Sequence, residues 1–272
     1  MNPNEQYKPP EVWAFDEEIS GNRVDNNRPI AGPTFEQALA IGDEPLQLYS
    51  LGTPNGIKIT VMLEELLALG KTDANYDLHL IDIRKGEEFG SGFTALNPNS
   101  KIPALMDHSA SPVIPVFESA SILHYLAEKF DALLPKSPAD RAACMNWLFW
   151  QGGSTPLLGG GFGHFYKLAP YPMAYPINRF AIEAKRQYDV LDRHLAEHEY
   201  MCDSGYSIAD IAIWPWYGRM ALNEVYAGSA KFLDTQSYKH VMRWTQMIGE
   251  REAVQKGVAK HPPLAALPKS DK

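Results

Sequence analysis

Cysteine is nearly missing from this chain of 272 residues, which holds only Cys144 and Cys202. Two thiols so far apart exclude a disulfide framework and fit a reducing compartment. No run of eighteen apolar residues occurs, so no transmembrane helix is expected. The opening Met1-Asn2-Pro3-Asn4-Glu5-Gln6-Tyr7-Lys8-Pro9-Pro10 lacks an apolar signal core, and the expected location is the cytosol. Positive charge is in deficit: 25 Lys and Arg face 33 Asp and Glu, for a net charge of −8. That balance argues against nucleic acid and anionic membranes as main partners. It leaves room for a local basic pocket and an anionic small ligand. No internal repeat is present.

What is there is ordinary for a globular protein, with 45% hydrophobic and 21% charged residues. The length favours two domains over one. Residues 1–45 are rich in Pro, Gly and Asn, without periodicity, and read as an arm. Its Trp13, Phe15 and Phe35 suggest an arm that packs on something rather than floating free. Residues 46–130 alternate between two periods. Leu46, Leu48 and Ser50 predict a strand, and Ile59, Met62, Leu63, Leu66 and Leu69 a helix closed by Gly70. Tyr76, Leu78 and Leu80 predict a second strand, and residues 87–96 a weaker helix. Two short strands follow at 104–106 and 113–117, then a helix over 119–130. Residues 131–139 read as a linker whose prolines interrupt helicity. Residues 140–272 are helical by spacing, over 140–153, 175–199, 207–224 and 237–249. The run Gly159-Gly160-Gly161-Phe162-Gly163 is expected to break the first two helices apart, and the tail to fray from His261.

The corner between the first strand and the first helix is Thr53-Pro54-Asn55-Gly56. By itself this is a turn and a helix cap. A thioredoxin-type redox protein would carry Cys-x-x-Cys at such a corner. Here the cysteines are missing, so any sulfur chemistry must use the thiol of a bound small molecule. A free thiol ionises at about pH 8.5, and a shift of about two units makes roughly three quarters of it thiolate at neutral pH. That shift needs about 2.7 kcal/mol, within reach of one or two hydrogen bonds to a charged acceptor. The Thr53 hydroxyl, the Asn55 amide and the helix N-terminus are candidate donors.

Four segments in this order resemble the glutathione transferase superfamily. They are Thr53-Pro54-Asn55-Gly56, Asn99-Ser100-Lys101-Ile102-Pro103-Ala104-Leu105, Phe117-Glu118-Ser119-Ala120-Ser121-Ile122 and Tyr206-Ser207-Ile208-Ala209-Asp210-Ile211-Ala212. With Asn146-Trp147-Leu148-Phe149-Trp150-Gln151, Trp214-Pro215-Trp216 and the Pro-rich arm, the chain is similar to the Nu-class disulfide-bond oxidoreductases and related fungal transferases. The resemblance spans residues 7–256. It implies an α/β thioredoxin-like N-terminal domain followed by an all-α C-terminal domain, and a homodimer.

The resemblance also implies a glutathione site, for the reduced or oxidised tripeptide. Thr53, Pro54 and Asn55 would lie at its sulfur, with Thr53 and Asn55 catalytic. Ile102-Pro103, which alone could be an edge proline, would be a cis bond presenting the Ile102 backbone to the cysteinyl residue. Ser119, which alone could be only an N-cap, would take the γ-glutamyl carboxylate with the helix amides, and Glu118 its ammonium. Lys101 would face the glycyl carboxylate or backbone. Asn27, Gln151 and Arg179 match positions linked to the sites of two adjacent glutathiones, although Arg179 alone reads as a solvated helix arginine. Around Gln151 and Gly152 the match can slip by one residue. Position 88 is often Gln in the group and contacts glutathione. Here it is Glu88, whose charge would repel a ligand carboxylate unless Lys101 compensates.

Other patterns carry less. Ser207 and Asp210 form a capping-box variant, a structural device. His194-Leu195-Ala196-Glu197-His198 with Cys202 imitates a metal row, but no acidic ligand helix follows, and no metal is expected. The glycine run lacks the strand and the Lys-Ser/Thr ending of a phosphate loop. Cys144 reads as packing. The expected activity is a glutathione-dependent disulfide reductase using two glutathiones, or one glutathione disulfide, per subunit. Two alternatives stand beside it: conjugation of glutathione to an electrophile, and a regulatory glutathione-binding protein without turnover.

Overall fold

A computed structural model describes residues 8–15 and 29–262. Strand β1, Leu46–Ser50, is buried along its whole length. It lies between β2, Tyr76–Leu80, and β3, Ala104–Asp107, with β4, Ile114–Phe117, outermost, in the order β2-β1-β3-β4. The β1–β2 pair is parallel and the other two are antiparallel. Alternation along β1 sends Leu46 and Leu48 into the main core, and Tyr49 into a smaller one with Ile81, Phe93 and Leu96.

Helix α1, Pro54–Ala68, starts with Thr53 as N-cap and Pro54 in its first turn. It ends on Gly70 at φ +78, where Gly70 N–H bonds Leu67 O and Lys71 N–H bonds Leu66 O, a Schellman cap that a left-handed glycine permits. Every residue from Gly56 to Leu66 is buried, the polar ones included. The sheet covers one side, and helices of the second domain cover the other. The segment expected as one weak helix is split by Gly90 into a short 3₁₀ turn, Glu87–Phe89, and α2, Ser91–Leu96. Helix α3, Ser119–Lys129, completes the N-terminal half.

Pro138 begins a helix instead of interrupting one: Ser137 caps α4, Pro138–Pro156, and the proline takes a first-turn position where no N–H is needed. The glycine run is not a break either. The chain continues from α4 as a π-helix, Leu157–Leu168. A Cβ on Gly159 would lie 2.7 Å from the Trp216 ring, so the absent side chain is what lets the two segments approach. Helices α5, Ala174–Glu197, α6, Ile208–Ala221, α7, Ser229–Phe232, α8, Lys239–Gly249, and α9, Glu252–Ala259, follow. Arg251 locks the end of this domain to α1 through a bidentate pair with Glu65, at 2.6 and 2.8 Å. His261 is buried beside Gly52, and the rest of the tail expected to fray, residues 263–272, lies outside the described residues.

Of the arm, residues 1–7 and 16–28 lie outside the described residues. Trp13, Phe15 and Phe35 are 63%, 41% and 43% exposed in the single chain. Backbone bonds tie its end to the first domain: Thr34 N–H to Phe89 O, and Ser91 N–H to Phe35 O, each at 2.9 Å. No helix among the described residues is long and apolar enough to cross a membrane.

Candidate functional site

The corner after β1 is a donor array. The Thr53 hydroxyl oxygen accepts the Gly56 N–H at 3.3 Å, so its own proton is left to point elsewhere. Asn55 is oriented from the other domain: the Trp216 indole N–H donates to its Oδ1 at 2.8 Å. An indole nitrogen only donates, so this contact sets the Asn55 oxygen toward Trp216 and its NH₂ away. Thr53 and Asn55 are both half-buried, and Trp216 is buried.

Two loops carry the other expected contacts. The Ile102-Pro103 bond is cis. Ile102 precedes β3, and its backbone N–H and C=O have no hydrogen bond among the described residues. Asn97 shapes the loop by donating to Lys101 O at 2.6 Å and accepting the Asn99 N–H at 2.9 Å. Glu118 sits at φ +68, a region costly for a side chain with a Cβ, directly before α3. It exposes its carboxylate and leaves the amides of the first turn without a side-chain cap. Ser119, first residue of α3, accepts a hydrogen bond at 3.1 Å from Lys58, a residue the sequence reading passed over.

Family models match both halves. The one described as "Glutathione S-transferase, N-terminal domain" covers residues 58–129, and "Glutathione S-transferase, C-terminal domain" covers 174–246. The disulfide-bond oxidoreductase YghU of Escherichia coli K12 is 58% identical over 251 residues, 92% of this chain and 87% of that one. The chain belongs to the glutathione S-transferase family. The crystal structure of a transferase named YghU from Streptococcus pneumoniae, complexed with glutathione, superposes with a TM-score of 0.91 at 53% identity, covering 93% of this chain and 97% of that one. A Pseudomonas putida transferase with one glutathione disulfide bound per subunit superposes at 0.73, with 38% identity over 80% of this chain and 93% of that one.

Against this transferase frame the remaining residues fall into place unevenly. Gln151 is 1% exposed, and its side chain is occupied: it accepts from Lys58 at 2.9 Å and donates to Thr155. Arg179 is exposed near the start of α5, with its charge bearing on Glu183. Asn27 lies outside the described residues. His261, also missed, is buried against Gly52 near the Gly56 backbone, and burial pulls its pKa down to about 4. A separate concavity, lined by Trp214, Leu222, Thr245, Gly249 and Val258, contains none of the corner's donors.

The charge of Glu88 is set by its burial. It is 4% exposed, with Oε2 unpartnered among the described residues. Burial raises its pKa to about 7, against the opposing field of Lys101, so a large fraction is a neutral acid at physiological pH. Such an acid can donate from its hydroxyl much as a glutamine amide does. The sign of the stability effect follows. The folded protein favours the protonated form, so stability falls as pH rises from the ordinary carboxyl range to about 7. Glu88→Gln is expected to be the more stable protein at about pH 8, by up to about 3 kcal/mol, with the gap closing below about pH 4.5. Thermal melts across that range check this, and parallel pH slopes for both proteins would refute it.

The two cysteines, distant in sequence, meet in space around Ser207. Its Oγ is 3.3 Å from Cys202 Sγ and 3.7 Å from Cys144 Sγ. Both are buried free thiols, and the neighbouring Cys144 sulfur together with burial holds Cys202 well above its ordinary range. They are packing groups beneath the α6 cap. Cys144→Ala with Cys202→Ala is expected to keep disulfide reduction within about two-fold, because both sulfurs are buried out of reach of a disulfide substrate. A dead double variant in the glutathione-coupled assay would move the chemistry onto these sulfurs. The His194 row does not gather into a metal site: His194 and His198 stack at 4.2 Å, and His198 bonds Asp203. Among the described residues no group of three metal-ligating side chains converges.

Proposed function

We propose that this transferase is a glutathione-dependent disulfide reductase of the Nu class. The observation that carries the proposal is the aim of the corner: Trp216 fixes the Asn55 oxygen, which leaves an amide N–H and the Thr53 O–H as paired donors where the family places the sulfur. Glutathione is here a substrate. When bound, it supplies the attacking thiolate, and a second glutathione resolves the mixed disulfide, so two thiols become glutathione disulfide while one disulfide is reduced to two thiols.

The chain's own residues would divide the work. Thr53 and Asn55 hold negative charge on sulfur, and the start of α1 at Pro54 adds the positive end of its dipole. Ile102, held by the bend at Pro103, pairs its free backbone groups with the cysteinyl residue as a short added strand. Glu118 takes the γ-glutamyl ammonium, and Ser119 with the α3 amides its carboxylate. Lys101 and neutral Glu88 serve the glycyl end. Asn27 and Arg179 serve the second glutathione, with Gln151 acting from behind the site. The relative with one glutathione disulfide per subunit supports a cleft that spans two tripeptides. Phe149 and Ile182, 68% and 67% exposed on α4 and α5, are apolar side chains available to the expected homodimer.

Calorimetry and a coupled hydroxyethyl disulfide assay test this reading. Two glutathiones, or one glutathione disulfide, per subunit with turnover is the expected result. One glutathione per subunit with activity toward electrophiles alone would make the protein a conjugating transferase. Binding without either turnover would make it a regulatory binder.

A further inference from the structure

Lys58 lies one turn into α1 and is 1% exposed. Its Nζ donates to Ser119 Oγ at 3.1 Å and to Gln151 Oε1 at 2.9 Å. Both partners are neutral, and no carboxylate hydrogen-bonds the ammonium among the described residues. A buried cation without a counter-ion is costly, and burial pulls its pKa down to about 7, with Glu118 opposing through space. The groups around it are otherwise uncharged: Ser119 from α3, and Gln151 with Thr155 behind it from α4. Glu64 and Glu65, on later turns of α1, are paired with Lys260 and Arg251. Ser119 accepts from Lys58, so its own proton is left to donate outward, beside the uncapped first-turn amides of α3.

We propose that Lys58 is the buried counter-cation of the γ-glutamyl carboxylate, acting through the Ser119 hydroxyl, and that Gln151 holds it there from the helical domain. The inference rests on the glutathione site proposed above and adds a positioning residue to it. Lys58 does not touch the ligand. It polarises the Ser119 O–H and places a positive charge behind the anion. The carboxylate in turn supplies the charge that the ammonium lacks, so binding draws a proton onto Lys58. Ligand occupancy thereby tightens a link between the two domains.

The test uses the full chain and S-methylglutathione, whose blocked sulfur has no proton to lose. Calorimetry at about pH 7.5, in buffers of different ionisation enthalpy, counts protons taken up. Wild type is expected to take up about half to three quarters of a proton more than Lys58→Met, and to bind about 10- to 100-fold tighter. An analogue with that carboxylate converted to an amide is expected to bind both proteins equally. Ser119→Ala, which removes the hydroxyl of the relay while keeping the Lys58 amine and its bond to Gln151, is expected to lose the extra proton as well. Unchanged affinity in Lys58→Met, or equal losses for the acid and the amide, would overturn the inference while leaving the glutathione site intact. Failure of wild type to bind S-methylglutathione would instead remove the proposed function, and this inference with it.

Discussion

Thr53→Ala is expected to slow disulfide reduction about 10- to 100-fold while glutathione affinity stays within a few fold. A hydrogen bond to a charged acceptor is worth about 1.5–3 kcal/mol, and each 1.4 kcal/mol is about tenfold in rate. The Thr53 oxygen is already an acceptor for Gly56 N–H, so the proton that would meet sulfur is the one the variant deletes. Affinity is carried mostly elsewhere in the proposed site, by Ile102, Glu118 and Ser119. The variant also loses an N-cap, at about 1 kcal/mol of stability, so melts must accompany the kinetics. Thr53→Ser keeps the hydroxyl and is expected to recover most of the rate. The decisive readout is the ultraviolet absorbance of bound thiolate against pH. An alanine variant with an unchanged titration would place the stabilisation on Asn55 and the helix N-terminus alone.

Asp210→Ala is expected to cost about 3–5 kcal/mol of folding stability. The residue is fully buried at the start of α6. One carboxylate oxygen accepts Met201 N–H at 3.0 Å and the Trp244 indole N–H at 2.9 Å. The other accepts Ser207 N–H at 3.1 Å and the Ser207 hydroxyl at 3.2 Å. Alanine would leave these donors buried and unpaired. Total stability of a domain is about 5–15 kcal/mol, so the variant should unfold at markedly lower urea. A shift in the midpoint equivalent to less than about 1 kcal/mol would show that water or rearrangement replaces the carboxylate. Trp216 is on the same helix, so an intermediate loss of stability should be accompanied by a loss of activity through Asn55.

The capping box and the Thr53 corner were legible because their partners are neighbours in sequence. An N-cap needs a hydroxyl and the amides two or three residues later, and nothing more distant. The strand pattern 46–50 was legible for the same reason, since alternation is a local property. The glycine run misled because glycine has two uses. It breaks helices in water, but at Gly159 its missing side chain admits the Trp216 ring, and packing overrides propensity.

By itself, the order of residues determined the family, the two-part architecture, and a cysteine-free corner furnished with donors. Those follow from short-range patterns that keep their meaning wherever the rest of the chain goes. Only the tertiary structure decided how the donors point and what lies behind them. Trp216 reaches Asn55 across 161 positions, and Gln151 reaches Lys58 across 93. Hydrophobic periodicity identifies one buried face of α1. It cannot show that a second domain buries the other, and that second burial is what turns an ordinary helix lysine into a charge in need of an anion.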